Sequence, residues 1–319
     1  MVWKLLSQFL AVNASKKGGM GSMWKSSSAA AAVMGVVGLV SGQPAAATPF
    51  FSTGDTDGKI ATATRPGVPG GAFEIESADD FILTQPTTLT SATFTGLVPH
   101  NSSTLDVVVE IYRVFPADSN VGRTSGPNTN PPFSTPEVPT RLNSPSDVAL
   151  VSRNSASPGE LSFTTTGLQT DFTSNNSVQP GGIHPKPGQT TGGNGAVTGD
   201  EVEYEVTFTS PLTLGPDHYF FVPQVELDNG NNFLWLSAPK PITGGTGPFV
   251  GDLQSWTRDE MLAPDWLRVG TDIVGGSPTP PTFNETFSLT GIVPEPGTLA
   301  VFGTGLLGLV LLGRPRSRR

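Results

Sequence analysis

The chain has 319 residues, a formal net charge of −9 at neutral pH and no cysteine. The absence of cysteine excludes disulfides, thiolate metal sites, iron–sulfur clusters and a cysteine nucleophile. The acidic balance argues against nucleic-acid binding and is compatible with divalent cations. The 38 glycines and 30 prolines, with abundant serine and threonine, favour short strands joined by turns over helices.

The N-terminal region has the three parts of an export signal. Lys25 supplies a positive charge, residues 29–40 form an apolar run, and Ala45-Ala46-Ala47 offers a small-residue cleavage site. We therefore predict signal cleavage directed by Ala45 and Ala47, which leaves Thr48 as the mature start.

The chain divides into three parts on this basis. Residues 1–47 form the signal-peptide region, and Met20 or Met23 is the predicted true start of translation. Residues 48–291 form the exported body, and residues 292–319 form a C-terminal signal. The body keeps 10 of the 18 basic and 26 of the 27 acidic residues, a net charge of −16. A solvated exported surface is the simplest explanation of that charge.

The body shows the patterning of an all-β domain. Leu105–Phe115 is rich in β-branched and aromatic residues and is predicted to lie in the middle of a sheet. Strict alternation over Glu201–Thr209 places Val202, Tyr204, Val206 and Phe208 on one face. We predict strands over 72–75, 80–83, 88–97, 105–115, 147–152, 160–172, 201–209, 218–227, 232–237, 265–269 and 282–292.

The connections give further predictions. Asn229-Gly230 is a hairpin turn signal between strands 218–227 and 232–237. The long irregular stretch 173–200 is predicted to be disordered, and 253–263 is predicted to hold the one short helix. About ten to twelve strands with these turns predict an antiparallel β-sandwich, jelly-roll-like.

Candidate metal ligands are sparse. The run Asp55-Thr56-Asp57-Gly58 resembles the opening of a calcium loop, but the later ligands are missing, so we predict a turn. Calcium remains possible as an alternative without a complete motif. No metal ligand is assigned.

The chain also lacks the patterns of common catalytic sites. His100, His184 and His218 have no second histidine or acid at metal-ligand spacing. No nucleophile elbow, zinc-protease helix motif or phosphate loop occurs. The adjacent acids Asp79-Asp80 point to opposite faces of a strand, so adjacency does not indicate an acid–base pair. We assign no catalytic residue and predict that the body is not an enzyme.

Aromatic residues near loops provide one binding hypothesis. Exposed Trp256 and Trp266, with Asp265 as a polar companion, would suit the apolar faces and hydroxyl edges of sugar rings. The alternative is core packing, because tryptophan is usually mostly buried.

The C-terminus carries a polar motif, an apolar run and a basic end, in that order. Thr298–Gly313 has no charge and spans about 24 Å as a helix, which is short for a bilayer core. We predict a short transmembrane helix over 298–313. Basic residues beside such a helix stay cytoplasmic, which places the body outside the inner membrane. The basic residues are Arg314, Arg316, Arg318 and Arg319.

Val293-Pro294-Glu295-Pro296, followed by the apolar run and the arginines, resembles the PEP-CTERM protein-sorting domain of Gram-negative bacteria that make extracellular polysaccharide. The resemblance implies recognition by exosortase, a membrane transpeptidase that would cut near the Pro-Glu-Pro motif.

The combined interpretation is an exported cell-surface or matrix protein. It would be tethered to the inner membrane until exosortase processes it, and it would be non-catalytic and associated with exopolysaccharide. A carbohydrate-active enzyme or a calcium-dependent adhesion module exported by the same route remain the alternatives.

Overall fold

A computed structural model describes residues 49–122, 142–184, 189–240 and 253–293. These residues are mostly strand, with one 3-10 turn at Pro180–Gly182 and one π-helical turn at Val269–Val274. Neither of these helical turns in the described part is long and apolar enough to cross a membrane. The predicted signal peptide and the predicted transmembrane helix lie outside the described residues.

The strands of the described residues form two sheets. In chain order they are β1 (Phe51–Ser52), β2 (Ala61–Ala63), β3 (Ile75–Leu83), β4 (Thr87–Val98), β5 (Thr104–Arg113), β6 (Val151–Asn154), β7 (Ser162–Ser174), β8 (Ser177–Val178), β9 (Val197–Leu214), β10 (Asp217–Leu227), β11 (Leu234–Ala238), β12 (Trp256–Asp259), β13 (Leu267–Arg268), β14 (Asn284–Glu285) and β15 (Phe287–Ile292).

The larger sheet is built around β4. Strand β9 pairs with one edge of β4, while β15 and β11 share the other edge. Strand β1 lies outside β15, and β7 lies outside β9. All these pairs are antiparallel; β2 and β8 form a parallel pair beyond β11. The smaller sheet is antiparallel in the order β13-β12-β3-β10-β5-β6.

The two sheets share one large apolar core. Phe94 and Tyr204 of the larger sheet stack with ring centroids 5.0 Å apart, and Phe221 of the smaller sheet lies 6.3 Å from Phe94. Phe221 also stacks on Phe287, at 5.1 Å. Each such side chain contributes about 1.5–3 kcal/mol when fully buried. Two smaller apolar clusters lie around β2 and β8 and around Trp256 and Trp266.

Two strand predictions are confirmed. Strand β5 lies between β10 and β6 in its sheet, as its apolar centre indicated. Along β9, Tyr204, Val206 and Phe208 are buried and Val202 is half-buried, so the predicted alternation defines the core face.

The predicted hairpin between β10 and β11 is wrong. A turn does form, with Gly230 at φ +69 and its amide donating to Leu227 O. However, β10 pairs with β3 and β5, whereas β11 pairs with β2, β4 and β14. The turn therefore carries the chain from one sheet to the other. Both edges of β10 are already occupied, which leaves no edge for β11.

Two other predictions are also corrected. The helix expected within 253–263 is wrong, because Trp256–Asp259 is a strand that pairs with β3. The disorder expected over 173–200 is wrong for its described residues. There, the Asn176 side chain donates to Gly192 O and accepts from the amide of Gly195. These bonds order a loop that composition alone marks as irregular.

Candidate functional site

The two ends of the body lie side by side in the larger sheet. Phe51 of β1 is directly opposite Leu289 of β15, and the amide of Phe50 donates to Leu289 O at 3.0 Å. Thr53 adds a hydroxyl bond to Phe287 O at 3.1 Å. Because the two strands are antiparallel, the start of β1 lies beside the end of β15.

The predicted processing signals lie directly outside these two paired strands. The amide of Phe50, which donates to Leu289 O, lies three residues after Ala47, and β15 ends at Ile292, directly before Val293. Val293 is half-buried. Every strand of the described part lies between these two limits. Pro294, Glu295, Pro296, the four C-terminal arginines, Ala45 and Ala47 lie outside the described residues.

A polar groove of about 330 Å³ opens on the outer face of the larger sheet. In the strand register, Glu203 of β9 lies opposite Thr95 of β4 and Thr166 of β7. The groove is lined by the hydroxyl residues Thr93, Thr95, Thr286 and Ser288, among others. Thr93 and Ser288 hydroxyls lie 2.6 Å apart and share a hydrogen bond.

Three carboxylates also line this groove: Asp55, Glu201 and Glu203. Glu201 is only 8% exposed. Burial raises the pKa of Glu201, and the nearby Asp55 carboxylate raises it further. The Glu201 oxygens are not among the buried side-chain atoms of the described part that lack a hydrogen-bond partner, so they reach the solvent in the groove.

A second acidic group lies on the outer face of the smaller sheet. Glu74, Glu76 and Glu110 each offer an oxygen within 4.8 Å of the others. Arg258 binds both oxygens of Glu76 through Nε and Nη2, and the Tyr112 hydroxyl lies 2.5 Å from Glu76 Oε1.

The protonation of this group reflects its burial. Burial and then the Glu76 charge raise the pKa of Glu110 to about 7. Burial and Glu76 likewise raise the pKa of Glu74. Burial disfavours the Arg258 charge, but the neighbouring groups, with the Glu76 carboxylate first among them, together outweigh that effect and raise the pKa of Arg258. These are the residues of the described part that could hold a metal ion, but Arg258 already supplies a positive charge. The group therefore carries no metal assignment.

The predicted calcium-loop opening forms a turn. Asp57 Oδ1 accepts from the amide of Lys59 at 3.1 Å and from the Ser237 hydroxyl at 2.6 Å. Asp57 Oδ1 therefore accepts hydrogen bonds from the turn itself and from β11, which agrees with the predicted turn.

The tryptophans predicted to face a ligand are in the core. Trp256 is 2% exposed and Trp266 is 1% exposed, so the prediction that they are exposed is wrong. The indole nitrogen of Trp266 donates to Ser146 O at 3.1 Å, and Arg258 lies 4.2 Å from the Trp266 ring centroid. Asp265 is also buried. Trp256 and Trp266 pack in a buried apolar cluster, as the alternative prediction of core packing states.

Two of the three histidines, His100 and His218, have acidic partners that no local spacing revealed. His100 Nε2 lies 3.0 Å from Asp171 and Nδ1 lies 3.3 Å from Asp200. His218 Nε2 lies 2.6 Å from the buried Asp80. The Asp200 carboxylate raises the pKa of His100, while burial lowers the pKa of His218. These partners are separated from their histidines by 71 to 138 residues, so only the fold brings them together.

Comparison with known proteins identifies the C-terminal segment. Residues 293–319 match the PEP-CTERM protein-sorting motif. The matched range includes Val293 to Pro296 and all four arginines, and the predicted resemblance to the PEP-CTERM sorting domain is confirmed. No curated protein and no solved structure matches the chain. The chain therefore carries a PEP-CTERM sorting motif behind a β-rich body, and that motif supports an exported protein targeted by exosortase.

Proposed function

We propose that this chain is a non-catalytic surface or matrix protein that associates with extracellular polysaccharide after exosortase processing. A signal peptide over 1–47 takes it across the inner membrane, and helix 298–313 tethers it there until cleavage. The body is a β-sandwich with jelly-roll-like connectivity, antiparallel except for the short β2–β8 pair, and it faces the cell exterior.

The observation that carries the proposal is the sorting motif directly after the last strand. The match begins at Val293, and β15 ends at Ile292. A cut near Pro294-Glu295-Pro296 would therefore release a body whose terminal strands stay paired. The acidic body, which carries 26 of the 27 acidic residues, supports an extracellular setting rather than contact with nucleic acid.

Fractionation of the producing cells tests the association with polysaccharide. The mature protein is expected to sediment with the extracellular polysaccharide and to be released when that polysaccharide is digested. Recovery of all mature protein as a soluble species in the wash would refute the association. A strain without exosortase serves as the control and is expected to retain the protein in the membrane fraction.

A glycan-active hydrolase is the second candidate, because Asp55 and Glu201 share one groove and Glu201 has a raised pKa. Glycoside hydrolysis uses such a pair of carboxylic residues as acid and base or nucleophile. The mature protein would then release reducing ends from polysaccharide, and Glu201→Gln would abolish that release. The non-catalytic proposal predicts no release by either form.

A further inference from the structure

We propose that strand β7 pairs along its open edge with β7 of a second copy of this chain, so that the larger sheet continues across a twofold axis. The inference goes beyond the proposed function and does not depend on polysaccharide. Strand β7 has 13 residues and, within the part of the chain that the structure describes, pairs with β9 alone.

The first argument is the length of this open edge. The other edge strands of the described part have two to four residues; they are β1, β6, β8, β13 and β14. In an antiparallel ladder, about half of the backbone N–H and C=O groups of an edge strand point away from its one neighbour. Short edge strands offer few such groups to other chains, and β7 lacks that protection.

The second argument is the chemistry of the edge. The segment from Ser162 to Thr170 contains no charged residue and no proline, and Asp171 is the first charged residue of β7. Residues 164–170 are all exposed. Charged side chains and proline are the devices that keep exposed strand edges from pairing. Their absence leaves this edge competent to accept another strand.

The register with β9 limits the pairing surface to the first half of β7. The ladder is regular from Ser162, opposite Thr207, to Gly167, opposite Val202. Irregularities follow between Gly167 and Phe172, and such bulges bend and twist a strand. At about 3.4 Å per residue, the regular part spans roughly 20 Å.

The occupant of the edge follows from charge. The body carries 26 acidic and 10 basic residues, so two copies repel each other wherever their charged surfaces meet. The uncharged edge of β7 lets two copies approach without that cost. It also offers no charge that would select an unlike partner.

Symmetry places the twofold axis at Thr165. Two identical antiparallel strands must be centred on a residue, because only every second residue points its backbone groups to the open edge. With the axis at Thr165, that threonine lies opposite its own copy, and Phe163 lies opposite Gly167 of the partner subunit. Threonine pairs and an aromatic ring over a glycine are both favourable across strands. The pairing would form about four to six backbone hydrogen bonds.

Sedimentation velocity of the mature exported protein at low ionic strength tests the pairing. A monomer–dimer equilibrium that depends on protein concentration is expected. Thr165→Glu is expected to weaken dimerisation about fivefold or more, because two like charges then lie directly opposite each other. Thr165→Lys is expected to weaken it for the same reason. An equal mixture of the two variants is expected to dimerise at least as strongly as the wild type, because each glutamate can then lie opposite a lysine.

The matched control is Thr209→Glu. Thr209 is exposed on β9, which is already paired with β4 on one edge and with β7 on the other. This variant is expected to dimerise as the wild type does. Thermal unfolding checks that all three variants remain folded, and each exposed substitution is expected to change the melting temperature little.

Three results would overturn the inference: a monomer at every concentration, a dimer that Thr165→Glu leaves unchanged, or a mixture of the Glu and Lys variants that does not recover dimerisation. Sedimentation of the purified protein reports on the β7 edge alone. Fractionation with polysaccharide reports on the proposed function alone, so the two can fail separately.

Discussion

Phe51 lies directly opposite Leu289 in the β ladder, so the first strand of the described body is paired with the last. Phe51 is 3% exposed and lies 5.0 Å from the Phe287 ring and 6.1 Å from the Phe81 ring. The two strands that flank the predicted processing signals are therefore hydrogen-bonded to each other. The β1–β15 pair stabilises the body and also places the two signals next to each other.

Phe51→Ala is expected to destabilise the body substantially. The change deletes a buried ring that contacts both sheets, and such deletions cost about 3–5 kcal/mol. Urea unfolding gives the free energy of unfolding directly. Ile292→Ala is the control on the neighbouring strand, because Ile292 is 65% exposed, and it is expected to change stability by about 0.5 kcal/mol or less. Equal effects of the two changes would contradict the closing role of β1.

Gly96→Ala is expected to be costly although it adds one methyl group. An added Cβ would lie 2.2 Å from the Phe233 ring and 2.6 Å from Leu234 O. Relief of that overlap requires movement of a buried ring or of backbone, which costs about 1–3 kcal/mol. Gly167→Ala in β7 is the matched control, because an added Cβ there meets open space. Thermal denaturation gives the melting temperatures of both variants, and only Gly96→Ala is expected to lower it. An unchanged melting temperature for Gly96→Ala would show that β4 and the 233–234 segment are less tightly packed than the structure indicates.

The pH dependence of stability tests the acidic group of the smaller sheet. The folded pKa of Glu110 is raised from 4.5 to about 7. The folded state therefore binds the Glu110 proton more tightly than the unfolded state. This stabilisation is complete below about pH 4.5 and is lost as the pH rises through about 7. Between about pH 4.5 and pH 7, the melting temperature of the wild type is expected to fall relative to that of Glu110→Gln. Glu110→Gln therefore gains in relative stability as the pH rises. A pH-independent difference would contradict the raised pKa.

Removal of Arg258 is expected to be far more harmful when Glu76 is charged. Arg258→Met leaves a buried carboxylate without its partner, and such losses cost about 3–5 kcal/mol. The same change in a Glu76→Gln background is expected to cost much less, because no buried charge is left behind. A double-mutant cycle from urea unfolding measures this coupling. Additive effects would show that Arg258 stabilises the body through its other contacts, the Trp266 ring and the Asp147 and Pro264 carbonyls, and not through Glu76.

Calcium and chelator are expected to leave the melting temperature unchanged. Asp57 accepts from Lys59 and Ser237, and Glu76 accepts from Arg258, so these two carboxylates, one from each candidate calcium site, already have protein partners. Differential scanning calorimetry with excess calcium and with excess chelator checks this. Stabilisation by calcium would support the calcium-dependent adhesion module instead.

Much of the fold could be predicted because local patterns determine which strands form. The alternation over Glu201–Thr209 and the apolar centre of Leu105–Phe115 depend on neighbours along the chain, and both are confirmed. Which strands pair depends on which strand edges are still free when the sheet is assembled, and distant strands compete for those edges. Asn229-Gly230 gives a turn as its residues dictate, but β3 and β5 already occupy the edges of β10, so no hairpin forms.

The candidate groove was harder to predict for a similar reason. Asp55 and Glu201 are far apart in sequence, and no spacing rule connects them. The alternation of β9 places Glu201 and Glu203 on the face opposite the core, which was a usable signal. Only the path of the 49–56 segment across the sheet brings Asp55 to that face. The tryptophans were misleading because residue type alone does not distinguish a ligand platform from a core ring.

Trimming at both ends around a closed β body can be measured by intact-mass and terminal-peptide mass spectrometry of the exported protein. We expect an N-terminus at Thr48 and a C-terminus near Pro294-Glu295-Pro296, with no peptide that contains Arg319. Recovery of the intact C-terminal peptide through Arg319 from the exported form would show that the C-terminus is not cut.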